Sequence, residues 1–253
     1  MKQQKPILRF ICGGAVYIGK NVSTKIHSHH AIQLTISFKQ TFDITTPNKT
    51  FNNCRFVIIP ENVPHQFNCA LDDYQVFIYL DPFNKLSQLL KNKFALKSNV
   101  VIVDNLLHKV PPLIEWLTME GNEIQILITK FIELITDCAS TLSNKDIRVE
   151  RSIEYLTNNL HKTIKLSEVA QFVCLSESRF AHLFKLQVGI PLRSYILWLR
   201  VQKTLLSFLT GNSFTEACYD GGFSDLPHFN RTFKEMFGNT PSAILKVSKF
   251  IQA

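Results

Sequence analysis

The stretch Phe180-Ala181-His182-Leu183-Phe184-Lys185 recurs 49 positions later as Phe229-Asn230-Arg231-Thr232-Phe233-Lys234. Gly189 and Gly238 keep that offset, and Pro191 and Pro241 miss it by one. Upstream, Leu166-Ser167-Glu168 pairs with Phe214-Thr215-Glu216 at an offset of 48, so the second copy carries one extra residue in between. A segment repeated with its punctuation intact is one supersecondary unit used twice. Each copy reads as a short helix (166–174 or 214–220), a tight turn, and a second helix ending near a glycine. Gly221-Gly222 supply permissive backbone in the second turn. Ser176 and Ser224 stand where helix N-caps are expected. This is helix-turn-helix grammar, at about 166–187 and again at about 214–237.

The second helix of each copy has two faces. At about 100° per residue, Phe180, Leu183, Phe184 and Gln187 share one side, as do Phe229, Thr232, Phe233 and Met236. The opposite sides hold Ser178, Ala181, His182 and Lys185 with Arg179 at the edge, and Pro227, Asn230, Arg231 and Lys234 with His228 at the edge. Small residues permit close approach, donors read base edges and cations meet phosphate, so these ten side chains are the candidate DNA contacts. A long helix over 193–209 would hold the two modules about 34 Å apart, one turn of duplex.

The first 80 residues read differently. Runs at 31–38, 56–59 and 74–80 are rich in Ile, Val, Phe and Thr and are punctuated by Asn, Asp and Pro. Short strands at this spacing predict a barrel or sandwich. From Pro82 the pattern turns helical, over 82–96, from Pro111-Pro112 through Trp116, and over 123–142. The last carries Ile124, Ile128, Phe131, Ile135, Cys138 and Leu142 in a heptad-like seam. That seam packs either on its own domain or on a second copy. A polar break at 143–146 marks the expected boundary between domains 1–145 and 146–253, with the barrel at about 7–82 and its helices at about 83–142.

The net charge of +8 suits a polyanionic partner, yet it is spread evenly. Residues 1–145 hold 15 Lys and Arg against 11 Asp and Glu, and residues 146–253 hold 13 against 9. A nucleic acid would therefore be met by a shaped surface, not a basic tail. The six cysteines form no CxxC pair, and no apolar run reaches membrane-spanning length. The opening residues lack the apolar core of a secretory signal. A reduced, cytoplasmic protein is expected. Phosphate-binding glycine loops, nucleophilic triads and paired-carboxylate motifs are not found, so no enzyme is expected.

Several motifs carry a family resemblance. They are Leu166-Ser-Glu-Val-Ala170, Ser176, Phe180-x-x-Leu183-Phe184-Lys185, Gly189-x-Pro191 and Arg200. They continue with Gly222-Phe223-Ser224-Asp225, Phe229-x-Arg231-x-Phe233-Lys234, Phe237-Gly238 and Thr240-Pro241-Ser242. Residues 148–246 thereby resemble the DNA-binding domain of the AraC/XylS transcriptional regulators. The resemblance implies two helix-turn-helix subdomains joined by a long helix, each placing a recognition helix in the major groove. Thr204 and Cys218 stand where the family commonly has Ala. The N-terminal part is similar to the cupin-like sensor domains of that family through His27-Ser-His29-His30-x-x-Gln33 and Phe56-Val-Ile-Ile-Pro60-x-Asn62-x-Pro64-His65.

In a metal-binding cupin, His27, His29 and His65 would match ligand positions, with Gln33 where a Glu would stand. The cluster is open between histidines that shape a barrel mouth, an effector pocket formed by His27, His29, Gln33 and His65, and a metal centre on the same four residues. The missing carboxylate weighs against metal, so no metal or other cofactor is expected. The expectation is an α+β, two-domain chain. A cupin-like β-barrel with accessory helices precedes an all-α double helix-turn-helix domain, and the whole acts as an effector-responsive regulator on promoter DNA. A small-molecule effector, RNA polymerase and a second copy through helix 123–142 are the further expected partners. The competing reading is a metal-dependent cupin enzyme fused to a nucleic-acid anchor.

Overall fold

The computed structural model describes residues 6–20, 22–69, 73–138, 145–242 and 249–251. The chain forms two compact units, one of residues 1–141 with 234–253 and the other of 142–233. Positions 143 and 144 of the polar break lie outside the described residues. Residues 234–253 group with the N-terminal unit, not with the helices they follow.

The first unit contains β1 (Ile7–Ile11), β2 (Gly14–Lys20), β3 (Ile32–Ser37), β4 (Phe42–Thr45), β5 (Thr50–Cys54), β6 (Phe56–Ile59), β7 (Gln66–Asn68) and β8 (Tyr74–Leu80). There follow α1 (Lys85–Phe94), β9 (Val101–Ile102), a 3₁₀ turn (Asp104–Lys109), α2 (Leu113–Thr118) and α3 (Asn122–Thr136). The later β10 (Lys249–Ile251) pairs parallel to β1. The strands form a seven-stranded sheet, β10-β1-β2-β8-β3-β6-β9, and a three-stranded sheet, β5-β4-β7. The expected β-rich N-terminal domain is present, and among the described residues its strands form two sheets that do not close into one barrel. Two isolated bridges, Ser23 with Asn68 and His27 with His65, lie outside the ladders. Pro60 and Pro64 explain part of this, since neither has an N–H to donate to a ladder.

β3 is central and wholly buried, so period-2 alternation sends its residues to two different interiors. Ile32, Leu34 and Ile36 join Phe56, Ile58, Val76 and Ile78 under the helices. On the other face Val57, Ile59 and Phe77 meet Phe42, Ile44 and Phe67. Gln33, Thr35 and Ser37 alternate with the apolar residues of β3 and are as deeply buried as they are.

Leu86, Leu90, Trp116, Ile124, Ile128, Phe131 and Ile135 all enter the first interior. Ile124, Ile128, Phe131 and Ile135 of the α3 seam therefore pack on their own sheet, the first of the two readings, while Cys138 is exposed. α3 stops before 142 because Asp137 adopts a left-handed backbone, φ 54. Lys93 and Lys109 both pair with that carboxylate at 2.8 Å, at the end of the helix. Leu142 lies outside the described residues. Arg9, fully buried, donates to the Trp116 and Leu117 carbonyls at 2.8 and 3.0 Å. A cation at these closing carbonyls fastens α2 to the sheet.

The second unit is helical: α4 (Ile147–Asn158), α5 (Leu166–Phe172), α6 (Glu177–Val188), α7 (Leu192–Leu209) and α8 (Phe214–Asp220). α9 (Leu226–Phe237) begins in this unit and ends among residues grouped with the first. Asp146 caps α4 by accepting from Arg148 N at 2.9 Å. The long helix expected over 193–209 is α7, one residue longer at its start.

Candidate functional site

The two turns match bond for bond at an offset of 48. Val173 N donates to Val169 O at 3.2 Å, as Gly221 N does to Ala217 O at 2.9 Å. Cys174 N reaches Gln171 O at 3.0 Å, as Gly222 N reaches Tyr219 O at 2.9 Å. Leu175 N and Phe223 N close each turn on Ala170 O and Cys218 O, both at 2.9 Å. The pivot is left-handed in both copies, φ 56 at Cys174 and φ 86 at Gly222. A Cβ on Gly222 would sit 1.9 Å from Leu160 O, so the second copy requires glycine where the exposed first turn tolerates a side chain.

Phe223 keeps the offset of 48 from Leu175 and the cap Asp225 stands 49 from Ser176, so the extra residue of the second copy is Ser224. Ser176 caps α6 as expected, accepting from Arg179 N at 3.4 Å. In the second copy the cap is Asp225, which accepts from His228 N at 2.6 Å, and this corrects the expectation for Ser224. The Ser224 hydroxyl instead donates to Asp225 at 3.1 Å. The change of offset from 48 to 49 between Ser224 and Phe229 was the signal in the sequence.

The two faces expected of α6 and α9 are present. Phe180 and Phe184 are buried with Leu183 and Gln187 half-buried, and Phe229, Thr232, Phe233 and Met236 are all buried. Ser178, Arg179, His182 and Lys185 are exposed, with Ala181 half-buried. Pro227, Arg231 and Lys234 are exposed, with His228 and Asn230 half-buried. Leu186, 71% exposed, stands beside Lys185 and was not among the expected contacts. Thr204 packs where the missing Cβ of Gly221 would be, 1.9 Å from its hydroxyl oxygen, so the usual Ala is replaced without loss of fit against glycine.

The histidines of the first unit do converge. His27 and His65 face each other across an isolated antiparallel bridge, with ring centroids 4.3 Å apart. His29 lies 5.0 Å from His65 and 6.0 Å from His27. Gln33, on β3, reaches His29 Nε2 with its side-chain amide at 2.7 Å and Thr35 Oγ1 at 2.7 Å. All four residues are buried. His30 is set apart on Asn62, at 2.7 Å. Tyr79, opposite Gln33 in the β3–β8 register, packs edge-on to His29 at 5.5 Å. Its place beside the histidines follows from strand register, which the sequence leaves open.

Burial holds these imidazoles neutral. His29 is pushed down to about 3, chiefly by desolvation and then by the neighbouring His27. His65 and His27 are lowered for the same leading reason. A neutral imidazole has one donor and one acceptor nitrogen. The cluster is therefore suited to neutral donors or to a metal, and unsuited to accepting a proton.

Fold and site together define a two-part chain in which a duplicated helix-turn-helix is joined to a β-rich domain with a buried histidine cluster. Residues 169–246 match the family described as a helix-turn-helix domain. The chain is 33% identical over 123 residues to the arabinose operon regulatory protein of Escherichia coli, covering 48% of this chain and 41% of that protein. It is 36% identical over 99 residues to its namesake from Salmonella typhimurium, covering 38% and 35%. The matches thus span about two fifths or less of these relatives' length. Among solved structures, ToxT from Vibrio cholerae is similar in fold, with a TM-score of 0.59 at 12% identity over 92% of this chain and 97% of that one. Residues 169–246 are a helix-turn-helix domain, similar to the part of the arabinose operon regulatory proteins that the chain matches. No helix among the described residues is long and apolar enough to cross a membrane.

Proposed function

We propose that the chain is a sequence-specific DNA-binding transcription regulator whose N-terminal domain responds to a small ligand. The carrying observation is the duplicated turn, matched bond for bond, which presents two helices with buried aromatic backs and polar, partly basic fronts. Ser178, Arg179, Ala181, His182 and Lys185 on α6, and Pro227, His228, Asn230, Arg231 and Lys234 on α9, are the side chains that meet the major groove. Asn230 and Arg231 read base edges, and the lysines hold phosphate. The relatives are regulators by name, which favours this reading over an enzyme fused to a nucleic-acid anchor. ToxT has also been solved with an unsaturated fatty acid bound, which supports a ligand-responsive β-rich domain here. Such a protein works in the cytoplasm, where promoter DNA and RNA polymerase are found. The ligand acts by shifting the population of DNA-competent states.

The test is the variant Arg231→Ala. It weakens binding to a selected site by about 1–3 kcal/mol, roughly 5–150-fold, and relaxes preference at one base position. Titrations at fixed salt read both quantities, because phosphate contacts make every affinity salt-dependent. Unchanged affinity and unchanged preference would remove Arg231 from the interface.

A further inference from the structure

The tautomers of the three histidines are fixed by their neighbours. His27 Nδ1 lies 2.8 Å from Lys25 O, His29 Nδ1 lies 2.7 Å from Ala31 O, and His65 Nδ1 lies 2.9 Å from Val63 O. A carbonyl oxygen only accepts, so each Nδ1 carries the hydrogen. Each Nε2 is then a bare lone pair. The available nitrogens of the three rings lie within 4.8 Å of one another in a buried space. His65 Nε2 is buried with no hydrogen-bond partner. His29 Nε2 faces Gln33 Oε1 at 2.7 Å, acceptor against acceptor. A half-turn of that amide would satisfy His29, because amide orientation follows the local network. It would do nothing for His65. Orphaned buried acceptors are rare because each one costs the desolvation of its lone pair.

We propose that His27, His29 and His65 bind one divalent transition-metal ion through Nε2, with the Gln33 amide oxygen beside the fourth position. This takes the last of the three readings left open for the histidine cluster, and rests on the proposed regulator only for its regulatory meaning. Three neutral imidazoles with Nδ1–H held by backbone carbonyls are the ligand and outer-shell arrangement that zinc sites use. Imidazole donors suit Zn²⁺, Ni²⁺ and Cu²⁺ and disfavour Mg²⁺ and Ca²⁺. Without a carboxylate the four donors are uncharged, so the bound ion keeps its full double charge. Zn–N bonds of about 2.0–2.1 Å require the rings to close inward from their present separation. Binding would therefore draw the 27–29 segment, β3 and the 60–65 segment together.

The experiment uses the full chain, stripped of metal by a chelator under reducing conditions and then titrated with Zn²⁺ and with Co²⁺. One equivalent binds and raises the melting temperature. The cobalt form shows visible ligand-field bands of a nitrogen and oxygen site without the thiolate charge-transfer band that the free cysteines would give. His65→Ala weakens binding by more than the roughly 10–100-fold that loss of an outer-shell partner costs, while His30→Ala leaves it unchanged. Should His65→Ala fail to fold, His27→Ala carries the same expectation. Absence of a stoichiometric ion, a thiolate spectrum, or wild-type affinity in the folded histidine variant would overturn the assignment. None of these readouts involves DNA, so they fail or succeed independently of the Arg231 test.

Discussion

Gly222→Val is expected to destabilise the helical unit by at least about 4 kcal/mol and to abolish DNA binding. The residue sits at φ 86, where a β-branched side chain is strained before any contact is considered. Its Cβ would lie 1.9 Å from Leu160 O and 2.9 Å from Leu160 C, both backbone atoms that cannot rotate away. The turn must then open, and opening it breaks the Gly222 N and Phe223 N bonds that aim α9. The paired control is Cys174→Gly, at the equivalent left-handed position, φ 56. There glycine relieves strain, and stability changes by less than about 1 kcal/mol. Thermal melting followed by helical signal reads both variants. A Gly222→Val protein that melts with the wild type would show that the turn is not built as described.

Phe131→Ala is expected to cost the N-terminal unit about 3–5 kcal/mol, with a midpoint that does not change with protein concentration. Phe131 is 2% exposed and stacks 5.8 Å from Phe56 on β6 and edge-on 5.9 Å from Trp116 on α2. Its removal opens a cavity between sheet and helices that rigid neighbours cannot fill. Ile126 stands on the other side of the same helix and is 51% exposed. Ile126→Lys is expected to shift stability by no more than about 0.5 kcal/mol. The contrast separates the two readings of the seam. Were the seam an interface between copies, Phe131→Ala would lower the midpoint most at low concentration, and dilution of the wild type would do the same.

The duplicated unit was legible because its signals are local. Glycine, proline and helix-face positions recur at fixed offsets, and the burial of Phe180, Phe184, Phe229 and Phe233 follows from a period of 3.6. The cap of α9 was missed by one residue since Ser224 and Asp225 both suit the role, and only the backbone of His228 decides between them. The α3 spacing was also legible, but a heptad-like stripe does not say what covers it. In the first unit the strands were visible and their pairing was not. Sheet closure depends on contacts between distant segments, and Pro60 and Pro64 are only two of the residues that govern it. The histidines illustrate both limits. His27, His29 and His65 were found by spacing and Gln33 by its place in the motif. The three Nδ1–carbonyl bonds that fix their lone pairs are backbone geometry, which composition does not reveal.

The central claim is that two recognition helices read one stretch of duplex. Selection of genomic fragments by the full-length chain at a stated salt concentration tests it most directly. The account predicts enriched fragments that share two short conserved blocks, with centres about 10–10.5 base pairs apart on one face of the helix. Enrichment that follows fragment length alone, with no common sequence, would contradict it.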